Sequence, residues 1–578
     1  MKKKIEFAAL RTPFEADMGE IPFSEYPRPA FERNSYICLN GAWDLKICGK
    51  KGEIKKETSV LVPFPPQSRL SGAEYETDVR DTLIYERSFT LPEGFLKDRV
   101  LLHFGAVDQI AQVLVNGKEA LRHEGGYLPF FCDITELLAD AGAINQLKVM
   151  VTDTMDRTYP YGKQRLKRGG MWYTSVSGIW QTVWLESVPK NYISDLKIDA
   201  DTEKCTVNVR GGEKKKRLRL RTEQGEKIYE FEGESVTVSP EEKRLWTPET
   251  PYLYRFTLES GEDTVSSYFA LRSVSIDNSG RFPRILLNGK PYFFHGLLDQ
   301  GYFSDGIYLP ATPEGFKNDI LQMKKLGFNM LRKHIKIEPQ LFYYYCDLYG
   351  MAVFQDLVNS GGYSFLVDTA LPTVFLRRGV THRASKKRKA VFESAAKETV
   401  ELLYNHPSVV YYTIFNEGWG QYEADRIYGD MKALDGSRVW DTTSGWFKTK
   451  KSDVQSEHIY FKPINLTAKE GRPLVLSEFG GFSYKVKDHS FNPVETYGYR
   501  YYETEEEYTA ALEKLYLSEI VPSIRNGMCA TVFTQVSDVE DETNGLLTYD
   551  RQILKVKEEP MQNIAKEIFK AFEETQSK

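Results

Sequence analysis

Three residues in the second half of the chain have the types and spacing that suit nucleophilic and acid–base chemistry. The stretch "VVYYTIFNEGWGQ", Val409 to Gln421, starts as an apolar strand and delivers Asn416 and Glu417 at its tip. Further along, "PLVLSEFGG", Pro473 to Gly481, does the same with Glu478. Two carboxylates at one mouth can divide the work of glycoside hydrolysis. One protonates the leaving oxygen, and the other attacks the anomeric carbon when the two stand ~5–5.5 Å apart. The first must hold its proton while the second is ionised. Burial favours the protonated form, and nearby cations or donated hydrogen bonds favour the charged one. The competing reading makes both glutamates surface caps of the helices that follow.

The elements around these glutamates alternate strand and helix from about residue 276 onward. "PYFFHGLLD", "FNMLRKH", "MAVFQDL", "SVVYYTIFNE", "RVWDTTSG", "EHIYF", "PLVLSEF" and "MCATVFTQVSD" read as eight strands. Phe316, Ile320 and Met323 recur at helical spacing in "PEGFKNDILQMKKLG", with Gly327 as its stop. Such a run predicts a (β/α)8 barrel, whose active site lies at the C-terminal ends of its strands. Glu417 and Glu478 would end the fourth and seventh strands and face that mouth. Arg332 ends the second strand as a candidate cation for Glu478. Tyr460 ends the sixth as a hydrogen-bond donor to the same group. His334 and His458 end the second and sixth strands and are candidates to bind sugar hydroxyls. Trp172, Trp419, Trp446 and Phe533 are candidate aromatic faces for a pyranose. Each of these side chains has a packing role as its alternative.

Before the barrel the pattern is short alternating segments broken by turns such as Asn116-Gly117, which predicts two β-sandwiches. The expected division is 1–188, then a smaller sandwich of immunoglobulin size at 189–275, then the barrel at 276–578. "GGEKKKRLRLRT" reads as a polar spacer within the second. A chain of 578 residues requires several domains. Its net charge of −5 argues against a general nucleic-acid binder. Six scattered Cys without C-x-x-C spacing read as reduced core thiols. No apolar run approaches a membrane span, and a cytoplasmic location is expected. The 35 Tyr and 33 Phe suit aromatic-rich sheet cores, with sugar-stacking surfaces as the alternative.

The motifs "IFNEGWGQ" and "LSEFGG" resemble the acid/base and nucleophile motifs of family 2 glycoside hydrolases, the β-galactosidase, β-glucuronidase and β-mannosidase group. "LNGAWDLK", "YERSFTLP", "VLVNGKEALRHEGGYLPFFCDIT", "MWYTSVSGIWQTVWLE", "MKKLGFNMLRKH" and "SGW" resemble that family in the same order, so the likeness covers nearly the whole chain. It implies a jelly-roll sugar-binding-like sandwich, an immunoglobulin-like sandwich and a TIM barrel. It also implies Glu417 as acid/base, Glu478 as nucleophile and Asn416 as the holder of the sugar 2-hydroxyl. The implied activity is a retaining exo-β-glycosidase on a terminal β-D-glycoside, with galactose as the expected sugar. Glucuronide and mannoside are the alternatives within the family, and a non-catalytic carbohydrate-binding protein is the alternative outside it.

Three departures bear on the sugar and on metals. β-Glucuronidases of the family carry an Asn-x-Lys pair where this chain has Glu542, Thr543 and Asn544. The large β-galactosidases have an Asp where Gly170 precedes Met171 and Trp172. A His-Glu pair after the first strand, which helps hold magnesium in those enzymes, is replaced by "FHGLLDQGYFSDG". No cofactor and no metal are therefore expected, and a carbohydrate is the expected partner, with a homo-oligomer left open. The basic segment Arg377 to Lys389 reads as a solvated loop entering a helix, or else as a positive subsite built on Arg377, Arg378 and Arg383.

Overall fold

The computed structural model describes residues 6–140, 142–223, 225–371, 383–469 and 471–576. The first sandwich packs a six-stranded antiparallel sheet against a four-stranded one. Its strands alternate as a half-buried sheet must. In Gly41–Cys48, Trp43, Leu45 and Ile47 point inward, while Asp44 is exposed. The inward sets of both sheets, including Tyr85, Val113, Val149 and Leu185, form one core.

The second sandwich runs from Ile193–Ala200 to Asp263–Phe269 as a three-stranded and a four-stranded sheet. The segment expected to be a polar spacer is the strand Lys215–Thr222. Leu218 and Leu220 alternate into the core. Arg217 and Arg219 face Glu230 and Glu259 on the outside. The charges disguised a period-two pattern that only two apolar residues carry.

Eight parallel strands follow: Phe294–Asp299, Met330–Lys333, Ala352–Asp356, Val409–Phe415, Val439–Thr443, Gln455–Ile459, Leu474–Gly480 and Met528–Thr534. They pair in a ring, first to eighth, broken only between the fifth and sixth. Phe294, Met330, Phe354, Val410 and Val475 fill the interior. Their outward neighbours, Leu297, Leu331, Val353 and Leu476, pack against helices such as Glu314–Lys325 and Glu558–Glu574. The small sheet Val274–Asp277, Arg284–Leu287 and Lys290–Pro291 lies at the lower end, and Ile285 joins the interior cluster. The lower end is thus packed, and the upper end is left for polar groups.

Of the basic segment, 377–382 lies outside the described residues, and with it Arg377 and Arg378. From Lys386 the chain is the helix Lys386–Leu403, capped by the Ser385 hydroxyl. Arg388 is buried and donates to the carbonyls of Ser360 and Gly420, so this part of the segment braces the loop behind Glu417.

Candidate active site

Each catalytic candidate reaches the mouth because its strand alternates. On the second strand Met330 and Arg332 point inward and Leu331 outward. Arg332 is the centre of the site and is 1% exposed. Its Nη1 donates to Glu478 Oε1 and to the Ser477 carbonyl, both at 2.9 Å. Its Nη2 donates to Asn416 Oδ1 at 2.9 Å and Ser444 Oγ at 3.2 Å. Its Nε donates to Asp356 Oδ1 at 3.0 Å. One guanidinium therefore ties strands two, three, four and seven together, a use its planar fork suits.

Glu478 is buried at the end of the seventh strand. Tyr460 donates to its Oε2 at 2.6 Å, and the same hydroxyl lies 2.9 Å from Thr534 Oγ1. Burial pushes the Glu478 carboxyl up, but the charges of His458, Arg332 and His334 and the Tyr460 bond outweigh it. They hold it well below the usual carboxylate range.

Glu417 ends the fourth strand in a tight turn and takes a left-handed backbone conformation, φ 51° and ψ 28°. Its amide donates to Ser444 Oγ at 3.4 Å. His458 Nδ1 lies 2.9 Å from Glu417 Oε1 and 3.6 Å from Glu478 Oε2. One oxygen from each glutamate and a ring nitrogen of His458 all fall within 4.8 Å of one another. Such a separation suits direct attack on carbon, whereas room for an intervening water needs ~6.5–9.5 Å. Asn416 accepts from Arg332 and Ser444 through Oδ1, which leaves its amide nitrogen as a donor.

The remaining candidates divide. His334 stands at the mouth, bonded through Nδ1 to Asp356 Oδ2 at 2.8 Å, and burial pushes it down to about 4. Trp446 meets His458 edge-on and donates to the Asp368 carbonyl. Trp419 and Trp172 pack on each other with centroids 5.2 Å apart, joining barrel to first sandwich. Trp419 is 2% exposed, so it forms a wall rather than an open stacking face. Phe533 is not with the carboxylates. It points outward on the eighth strand, against Phe479 and Tyr516, because its neighbours Val532 and Thr534 take the inward parity. His295 of "FHGLLDQG" also faces the helix layer, stacked on Phe328.

Sequence reading missed Asp356, Ser444 and Thr534. Asp356 was detectable, since it too is a carboxylate ending a barrel strand. Ser444 opens the "SGW" motif but was given no role there, and Thr534 carries no signal, because a hydroxyl at a strand end is ordinary.

Comparison with known proteins places these features in a family. Residues 30–189 match the sugar binding domain model of glycosyl hydrolases family 2, and 179–272 match a second model of that family. Residues 281–481 match its TIM barrel domain. The chain belongs to family 2 of the glycosyl hydrolases. It is 27% identical to a β-glucuronidase from Homo sapiens over 404 residues, 61% of this chain and 58% of that one. It is 26% identical to a β-galactosidase from Aeromonas hydrophila over 476 residues, 73% of this chain and 42% of that one. The matched stretch thus spans little more than half of these relatives' own length or less. The fold is similar to that of the β-D-glucuronidase from Dictyoglomus thermophilum, with TM-score 0.73 and 18% identity over 94% of this chain and 98% of that one.

Proposed function

We propose that the protein is a retaining exo-β-glycosidase. The observation that carries this reading is the close approach of Glu417 and Glu478 around His458, with Glu478 alone wrapped by a cation and a phenol. In the first step a Glu478 oxygen forms a bond to the anomeric carbon. The bond to the leaving oxygen breaks, and Glu417 gives that oxygen its proton. In the second step Glu417 takes a proton from water, whose oxygen displaces Glu478. The Asn416 amide is placed to donate to the 2-hydroxyl, a contact that strengthens in the transition state. Exo action is supported by the contact of the loop after the eighth strand with the first sandwich, where the Tyr173 hydroxyl donates to Glu542.

For the terminal sugar, the loss of the Asn-x-Lys pair supports a neutral β-galactoside. A second reading, a β-glucuronide, is favoured by the names of the relatives in family 2. A panel of nitrophenyl β-glycosides decides between them. Glu478→Gln is expected to abolish turnover with the fold intact. Glu417→Gln is expected to spare aryl glycosides more than alkyl ones, because aryl oxides leave with less protonation. Equal losses on both, or an α anomer as the first product by NMR, would reject the assignment.

A further inference from the structure

The ring of strands breaks between the fifth and the sixth, and a cleft of about 810 Å³ opens at that seam. Asp441 and Thr443 line it from the fifth strand, and Gln455 and Ser456 from the sixth. Glu417, His458 and Glu478 do not line it, so it is separate from the catalytic mouth. Its size falls within the ~300–1,000 Å³ of small-molecule sites. Two side chains at its base have unmet hydrogen-bonding capacity. Gln421 is 1% exposed. Its Oε1 accepts from the Thr443 hydroxyl at 2.9 Å, while its Nε2 makes no hydrogen bond among the described residues and is not sealed from the cleft. Asp441 is equally buried, and its Oδ2 has no hydrogen-bond partner. A buried polar atom left unpaired is costly, and a bound hydroxyl, which donates and accepts at once, meets both needs.

The rim of the cleft is held by its own chain. The Asp425 carboxylate accepts from the Lys451 amide at 2.8 Å. Arg472 donates to the Thr449 carbonyl at 3.3 Å and to the Lys450 carbonyl. The side chains of Asp425, Lys450 and Arg472 make no ion pair among the described residues. Charges of both signs thus stand on one rim, with Ala424, Phe447 and Val454 as apolar surface between them. Such a rim repels part of any anion and part of any cation. It suits a neutral ligand rich in hydroxyls, each of which finds a donor or an acceptor.

We propose that the seam cleft is a second carbohydrate site, which takes the hydroxyls of a neutral pyranose on Gln421, Asp425 and Arg472. Phe447 joins this cleft to the turn that carries Glu417. A Cβ on Gly418, the next residue, would stand 2.5 Å from the Phe447 ring. The Gln421 amide also donates to the Gly418 carbonyl at 3.0 Å. A sugar in the cleft therefore bears on that turn and modulates turnover without entering the mouth. This effect on turnover rests on the glycosidase reading; the binding site does not.

The test uses the full chain with its catalytic mouth blocked by a 2-deoxy-2-fluoro glycosyl label. D-Galactose, D-glucose and D-glucuronate are titrated into it and followed by NMR. The neutral sugars are expected to bind the labelled protein. Gln421→Leu, which removes the open donor, is expected to weaken them roughly 3- to 10-fold. Thr449→Trp, which puts an indole into the cleft, is expected to abolish binding. Thr449 is only half-buried, so this variant tests the cleft even where Gln421→Leu fails to fold. Loss of binding on labelling places the sugar in the mouth and rejects the cleft. Binding of D-glucuronate alone makes the rim an anion site and rejects it too, as does binding that both variants leave unchanged. If no label forms and Glu478→Gln stays active, the glycosidase reading fails. The same titration on the unlabelled parent and the two cleft variants then decides the cleft by itself.

Discussion

Glu478 owes its ionised state to neighbours that lie far away in sequence. Arg332 and Tyr460 each contact one of its oxygens. Because its carboxyl is held low, protonation removes the proposed nucleophile only at low pH, and the acidic limb of kcat/KM is expected there. Tyr460→Phe takes away one donor to the charged form, so the carboxyl rises and the limb moves to higher pH. A hydrogen bond to a charged group is worth ~1.5–3 kcal/mol, so kcat/KM should also fall about ten- to hundredfold. A pH–rate profile of the variant checks both, and an unmoved limb would contradict the role given to Tyr460. The three atoms that could clasp a cation, on Glu417, His458 and Glu478, are those the proposed reaction uses for proton and glycosyl transfer. Glu478 already has Arg332 as its counter-charge. Activity is expected to survive exhaustive EDTA treatment, and loss with recovery on adding magnesium would show otherwise.

At the scale of the element, the fourth strand must stop abruptly for Glu417 to face the mouth. Glu417 and Gly418 are both left-handed, with φ of 51° and 71°. Glu417 bears this conformation at a cost of order 1–3 kcal/mol, a strain that the surrounding bonds must hold. Gly418 has no such latitude for a side chain, since a Cβ would stand 2.5 Å from the Phe447 ring. Gly418→Ala should therefore lose ~1–3 kcal/mol of stability and shift Glu417 from its place. A lowered melting temperature together with a larger loss on alkyl than on aryl glycosides is the expected pair of results. An unchanged ratio would mean that the turn relaxes without moving the carboxylate.

At the scale of the molecule, a buried ion network joins the two sandwiches. Arg33 contacts Glu186 in the first at 2.9 Å and Asp263 in the second at 3.0 Å. Arg28, Tyr26 and the Trp184 indole also donate to Glu186. Burial pushes the Glu186 carboxyl up, and the charges of Arg28, His103 and Arg33 with the Tyr26 bond bring it far below its ordinary value. A carboxyl depressed in the folded state adds stability above its unfolded pKa, and that stability is lost as pH falls through the folded value. Arg33→Ala leaves the buried Asp263 without its cation and Glu186 with Arg28 in place of two arginines, and should cost ~3–5 kcal/mol. Denaturation across pH checks it: the variant should lose most at neutral pH and converge toward the parent in acid. A deficit that stays constant with pH would make Arg33 a packing residue instead.

Much of this was legible in the sequence, and the reasons are local. Eight apolar runs separated by helical periods determine barrel strands, and a strand's end is marked where its apolar run stops. That places Arg332, Asn416, Glu417, His458, Tyr460 and Glu478 at one mouth, because parallel strands all end on the same side. Where apolar residues were few, as in Lys215–Thr222, charge hid the strand. Which side of a strand a residue takes was harder to read, and Phe533 shows why. Its outward parity depends on register with Leu297 and on the helix layer that receives it. The pairings decided only by tertiary structure are those between distant segments: His458 between the two glutamates, Ser444 under Asn416, and Tyr173 on Glu542. A sequence records which groups reach a mouth, but the ring's closure and the docking of the sandwich domain set the distances on which hydrogen bonds and charge interactions depend.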